Sequence, residues 1–85
     1  MTIGDLIKEK DYDYVSYRLT IPGCGNIFAG YFASKDGEIL YIDGDNIYDK
    51  HDEVLSYEEW SKKDNGIEHG LTVIVKGNWY HGEDK

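Results

Sequence analysis

Seven carboxylates lie between Asp43 and Glu59: Asp43, Asp45, Asp49, Asp52, Glu53, Glu58 and Glu59, against one lysine, Lys50. Most of the chain's formal charge of −8 at pH 7 arises there. Acid at this density can hold a metal ion, move protons, or meet the cations of a partner. The metal reading starts well, because Asp43-Gly44-Asp45-Asn46 opens like a calcium loop. It then fails, since a calcium hand needs an oxygen ligand at its fifth position, glycine at its sixth and glutamate at its twelfth. Ile47, Tyr48 and Val54 occupy those places. Proton transfer fares no better. Glu58 and Glu59 are adjacent, so they point in different directions on a helix or a strand. Cys24 could act as a nucleophile only if the fold brought His51, His69 or His81 to it, and Pro22-Gly23-Cys24-Gly25 reads as a turn. The sequence thus suggests no catalytic residues, no metal site and no cofactor.

The third reading is recognition. Tyr48, Tyr57 and Trp60 are threaded through the acid, with Tyr41 just before it. Interfaces favour aromatic anchors at their centre and charge at the rim, where it steers encounter. An acidic, ring-bearing surface suits a basic nucleic-acid-binding groove: carboxylates stand in for phosphates, and rings meet guanidinium groups. The expected contact set is Asp43, Asp45, Tyr48, Asp49, Asp52, Glu53, Tyr57, Glu58, Glu59 and Trp60.

The elements that must position these residues are short. Thr2 to Lys10 predicts an amphipathic helix, with Thr2 and Asp5 as a capping box and Ile3, Leu6 and Ile7 as its apolar stripe. From Tyr14 to Ile21 the pattern alternates, with Val15, Tyr17, Leu19 and Ile21 on one face and Tyr14, Ser16, Arg18 and Thr20 on the other, which predicts a strand. A second strand runs from Asn26 to Ser34. Lys35-Asp36-Gly37-Glu38 then reads as a two-residue hairpin. Its register sets Ala33 against Leu40, Tyr31 against Ile42, Phe32 against Tyr41 and Gly30 against Asp43. Val54-Leu55 suggests a brief strand. Ser56 and Glu59 form a second capping box ahead of Lys62, Lys63 and Asn65-Gly66, which favours a helical turn near residues 57–63, with a strand through Trp60 as the alternative. Gly70 to Val75 is the last strand, and residues 81–85 read as a loose tail.

The fold class is therefore α+β: a four- to five-stranded antiparallel sheet with one short N-terminal helix, in a single small domain spanning residues 1–85. One short helix covers one face of such a sheet. The face assigned to Phe28, Phe32, Ile39 and Tyr41 must either be covered by the segment between Tyr48 and Asn65 with Trp79, or serve as a dimer face.

The totals set outer bounds. Hydrophobic residues make up 40% of the chain and charged residues 31%, a globular composition. A single cysteine cannot staple the fold, which points to packing for stability and to the cytoplasm as the location. The N-terminus shows no signal-peptide pattern, and no apolar run is long enough to span a membrane. At −8 the surface should be repelled by nucleic acid itself.

Asp5-Leu6-Ile7-Lys8, Lys10-Asp11-Tyr12, Ile42-Asp43-Gly44-Asp45, Tyr57-Glu58-Glu59-Trp60 and Gly70-Leu71-Thr72-Val73 together resemble small acidic proteins carried on bacterial phages and integrative elements. Some anti-CRISPR and antirestriction proteins are similar in size, acidity and mixed α/β character. The resemblance implies an inhibitor that occupies a nucleic-acid groove on a host effector, and it assigns no individual residue. The expected function is a non-enzymatic binding protein, a monomer or homodimer, docking on a basic nucleic-acid-handling partner. The alternative is a homodimeric accessory protein using the Phe28, Phe32, Ile39 and Tyr41 face.

Overall fold

The computed structural model describes residues 1–21, 23–43 and 50–76, with the side chains of Tyr41 and Ile42 left aside. The first element forms as its capping residues dictate. The Thr2 hydroxyl accepts a hydrogen bond from the Asp5 N–H at 3.3 Å, and the Asp5 carboxylate accepts one from the Thr2 N–H at 3.0 Å. That backbone donor is the main reason the Asp5 carboxyl titrates below its ordinary value. Helix α1 spans only Ile3–Ile7, shorter than the periodicity suggests. Its buried stripe of Ile3, Leu6 and Ile7 ends there, and exposed Lys8, Glu9 and Lys10 offer nothing further to bury.

Five strands follow: β1 (Tyr12–Ile21), β2 (Gly25–Lys35), β3 (Glu38–Asp43), β4 (Val54–Lys62) and β5 (Ile67–Lys76). They form one sheet in the order β3-β2-β1-β5-β4. The Asp36-Gly37 hairpin is present, with φ of 55° and 80° at its two central residues, as a type I′ turn requires. Ala33 opposes Leu40 and Phe32 opposes Tyr41, as the turn dictates. Beyond them Ile42 is an extra residue on β3, so Tyr31 meets Asp43 and not Ile42.

The α+β class and five strands match expectation, and two details differ. β1 pairs with β5 in parallel, so the sheet is mixed and not wholly antiparallel. The apolar run of Leu71, Val73 and Val75 takes a central position paired on both sides, while acidic β4 takes the outer edge. The tight β4–β5 connection makes those two antiparallel, and β5 runs in the same direction as β1. In addition, residues 56–62 are strand, and the helical turn is confined to a 3-10 turn at Lys63–Asn65 ended by Gly66 at φ 79°. Ser56 and Glu59 spell a capping box, but alternation along Ser56-Tyr57-Glu58-Glu59-Trp60 lets β5 pair the backbone of the whole segment, and the ladder wins.

α1 covers one face. Val15, Tyr17, Leu19, Phe32, Leu71, Val73 and Val75 are buried there with Tyr12 and the helix stripe, and Ala29, Ile39 and Val54 pack around them. Each large side chain removed from water contributes on the order of 1.5–3 kcal/mol. The proposed dimer face is therefore divided. Phe32 has no exposure, Ile39 packs against the core, and the Tyr41 side chain lies outside the described set. Phe28 sits on the opposite face at 48% exposure. An extra residue, Ala29, between the pairs Tyr17–Gly30 and Arg18–Phe28 turns Phe28 over. No helix among the described residues is long and apolar enough to cross a membrane.

Candidate binding surface

The face opposite α1 can be mapped from the pairing registers. Tyr14, Ser16, Arg18 and Thr20 of β1 point to it, as their alternation predicts. Their parallel partners are Gly70, Thr72, Ile74 and Lys76 of β5, and β4 adds Trp60, Glu58 and Ser56 beside the first three of these. From β2, Tyr31 stands beside Ser16 and Phe28 beside Arg18. The face is therefore graded along the strands. One end carries Trp60, Tyr14 and Tyr31, flanked by Glu58 and, across Tyr31, by Asp43. The other carries Arg18 and Lys76, with the Arg18 guanidinium 5.6 Å from the Phe28 ring centroid.

The rings at the acidic end are held in place. Tyr14 and Tyr31 stack with centroids 4.8 Å apart and planes 18° apart. Tyr14 also meets Trp60 at 5.7 Å, tilted by 59°. The indole lies over Gly70, where a Cβ would come within 2.6 Å of Cε3 and 2.7 Å of Cδ2 and Cζ3. Its Nε1–H donates to Thr72 Oγ1 at 3.0 Å. Glycine at position 70 is what lets the ring lie flat, leaving one side of the indole to a groove bounded by Tyr14, Ser16, Lys62 and Thr72. Gly70→Ala is expected to cost about 1–2 kcal/mol through this overlap. It should also shift the Trp60 emission, measurable by denaturant unfolding and fluorescence with Trp79→Phe as background.

The residues expected to form one acidic patch are dispersed where they are described. Asp52 is buried and accepts a hydrogen bond from the Tyr17 hydroxyl. Glu53 is exposed and pairs with the N-terminal amine of Met1 at 3.2 Å. Glu58 lies beside Thr72 on the open face, and Glu59 beside Leu71 on the helix side. Tyr57, on the helix side, is 46% exposed. Asp43 and Trp60 belong to the open face, whereas Asp45, Tyr48 and Asp49 lie outside the described residues. Of the expected contact set, the structure brings Glu58 and Trp60 together on one face, with Asp43 at its far side. Tyr14, Tyr31 and Gly70 were not among the expected contacts. For Tyr14 the signal is present, since the alternation of β1 assigns it to the face away from Val15 and Tyr17.

Neither a family model, nor a curated protein, nor a solved structure matches this chain. Function must be read from the surface alone.

A second polar cluster lies on the helix side. Lys10 Nζ donates to Glu59 Oε1 at 3.0 Å and the Tyr12 hydroxyl donates to Glu59 Oε2 at 3.2 Å. The ammonium, and then the phenol, hold the Glu59 carboxyl below its usual range. Burial, reinforced by the Glu59 charge, pushes the Tyr12 phenol up to about 12. With both its oxygens occupied, Glu59 acts as a tie and not as a free base. Because the folded-state value for Tyr12 is raised, its contribution to stability is complete below pH ~10 and is lost as the pH climbs towards 12. Glu59→Gln removes the charge and should return the Tyr12 titration towards 10, followed by its ring-carbon NMR shift; an unmoved midpoint would assign the whole effect to burial.

With His69 the thiol reading gains no support from position, and His81 lies outside the described residues. Cys24 lies past the Ile21 end of β1, and His69 lies beside its Tyr14 end, about 20 Å of strand away.

Proposed function

We propose that this chain is a non-enzymatic binding protein that docks on the basic surface of a nucleic-acid-handling partner and blocks it. The contact is the ring-bearing end of the open sheet face. One observation carries this reading: Trp60 is pinned flat over Gly70 beside the Tyr14–Tyr31 stack, with Glu58 next to it on the same strand face. A guanidinium laid on the exposed side of an indole gains cation–π attraction, and a neighbouring carboxylate can accept its N–H groups. Charge at long range favours the same partner, because every described carboxylate except Asp52 is exposed. The acid acts by steering from all sides, while the rings supply the anchor. An inhibitory role follows if the basic surface so occupied is the one that holds nucleic acid, which is also what the phage-element resemblance implies.

An arginine-rich peptide is the direct probe. In a Trp79→Phe background, Trp60 emission should change on titration with the peptide, and binding should weaken steeply with salt as charges separated by more than roughly 10 Å are screened at 0.1 M. Tyr14→Ala and Glu58→Lys should each weaken binding about tenfold, and Lys62→Glu should strengthen it. Saturable binding of a single-stranded oligonucleotide with no response to the peptide would overturn the reading.

A further inference from the structure

Among the described residues, no strand lies on the outer side of β4. It is the terminal strand of the sheet, and among the described residues only its start is engaged, where Thr2 bridges Glu53 and the Val54 N–H donates to the Met1 carbonyl at 2.9 Å. Past the bulge that Leu55 makes near its start, Ser56 to Lys62 presents a row of backbone donors and acceptors, a template for another strand. Natural edges of this length are usually interrupted by a bulge or proline. From Ser56 to Lys62, β4 has neither. The irregularity at its end falls on β5, where two residues, Glu68 and His69, stand opposite Ser61. The amides of that bulge are both accepted by the Asp13 carboxylate, at 3.0 and 3.2 Å.

The side chains along this regular stretch have a symmetry of their own. Glu58, Trp60 and Lys62 point to the open face, so charge is reversed about Trp60 as centre. Among the described residues neither Glu58 nor Lys62 forms an ion pair. They cannot satisfy each other, since four residues of strand separate them by about 13 Å.

The geometry points to a second copy of this chain as the occupant of the β4 edge, antiparallel and centred on Trp60. A two-fold axis perpendicular to the sheet keeps the open face of both copies on one side, so only residues of the same face can lie opposite each other. With Trp60 opposite Trp60 of the partner subunit, Glu58 of each copy meets Lys62 of the other. Shifting the centre to Glu59 or Glu58 sets that glutamate against itself, and centring on Tyr57 or Ser61 leaves Glu58 with no lysine opposite it. Charge complementarity thus selects one register, and the result is a continuous ten-stranded sheet with two ring-bearing ends side by side. This contact uses the strand edge and not the ring faces, and it shares only Glu58 with the arginine reading. Its small area predicts a concentration-dependent dimer.

Sedimentation equilibrium of the full chain tests the register by charge swap. Glu58→Lys and Lys62→Glu should each raise the dimer dissociation constant about tenfold or more, because each places like charges opposite each other twice. The combined Glu58→Lys/Lys62→Glu protein should dimerise like the parent. The two single changes move net charge in opposite directions, so a response to net charge alone cannot produce this pattern. A monomer at every concentration, or a dimer insensitive to either single change, or failure of the double variant to recover, would overturn the proposal. Lys62→Glu separates the two proposals, since it should dissociate the dimer yet strengthen peptide binding. Both residues are exposed, and unchanged thermal midpoints would verify that the variants fold.

Discussion

Phe32→Ala should remove about 3–5 kcal/mol of stability, the usual cost of emptying a fully buried aromatic site. Phe32 has no exposed surface, and its ring meets that of Tyr17 at 6.1 Å and 56° in the layer beneath α1. Domains of this size hold only about 5–15 kcal/mol in total, so the variant should be close to unfolding. Phe32→Lys should be worse, because it also buries a charge without a partner. The result discriminates between the two roles considered for this residue. A dimer contact would tolerate lysine in the monomer and lose only association. A core residue loses the fold, visible as a collapsed urea midpoint and lost near-ultraviolet dichroism. A cost below about 1 kcal/mol would place the ring outside the core.

Tyr17→Phe is expected to cost about 1–3 kcal/mol, the range for removing one partner of a buried polar group. The loss is large for one oxygen atom because Asp52 is the single buried carboxylate among the described residues, and the Tyr17 hydroxyl donates to it. Tyr12→Phe provides the contrast. It removes a hydroxyl from Glu59, which is exposed and keeps Lys10, and should cost well under half as much. Denaturant unfolding of the two variants side by side checks the ordering. Equal losses would mean that burial of the acceptor does not set the cost.

Asp52 also shows why the acidic belt was only partly legible. Seven carboxylates in one segment look alike in sequence, yet Asp52 turns inward to Tyr17, and its backbone carbonyl accepts from Ile3 N–H at 3.1 Å. Glu58 and Glu59 diverge because a strand alternates, which was foreseen, but the strand itself was not preferred. A local capping signature at Ser56 and Glu59 outweighed an alternation that makes sense only once β5 is alongside. The elements fixed by their own residues were legible: the Thr2–Asp5 box, the alternation of β1, and the Asp36-Gly37 turn with its first pairs. What escaped depended on distant chain or on one extra residue. Ala29 sends Phe28 to the face opposite Phe32, and Ile42 shifts Tyr31 onto Asp43. Bulges leave no simple mark in a single sequence, yet each reassigns a face. Of the rings assigned to the uncovered face, Phe28 lies on it and Phe32 does not, while the alternation of β1 places Tyr14 on its correct side.

The parallel pairing of β1 with β5 also has a kinetic side. β1, β2 and β3 can zip together through short turns, but the other flank of β1 stays bare until residues from much later in the chain arrive already zipped to β4. Closing that seam is the step with the greatest loop entropy, and so the slow one. A chain in which that seam has not closed would leave the β5 side of β1 as a bare strand margin, where another chain could add in its place.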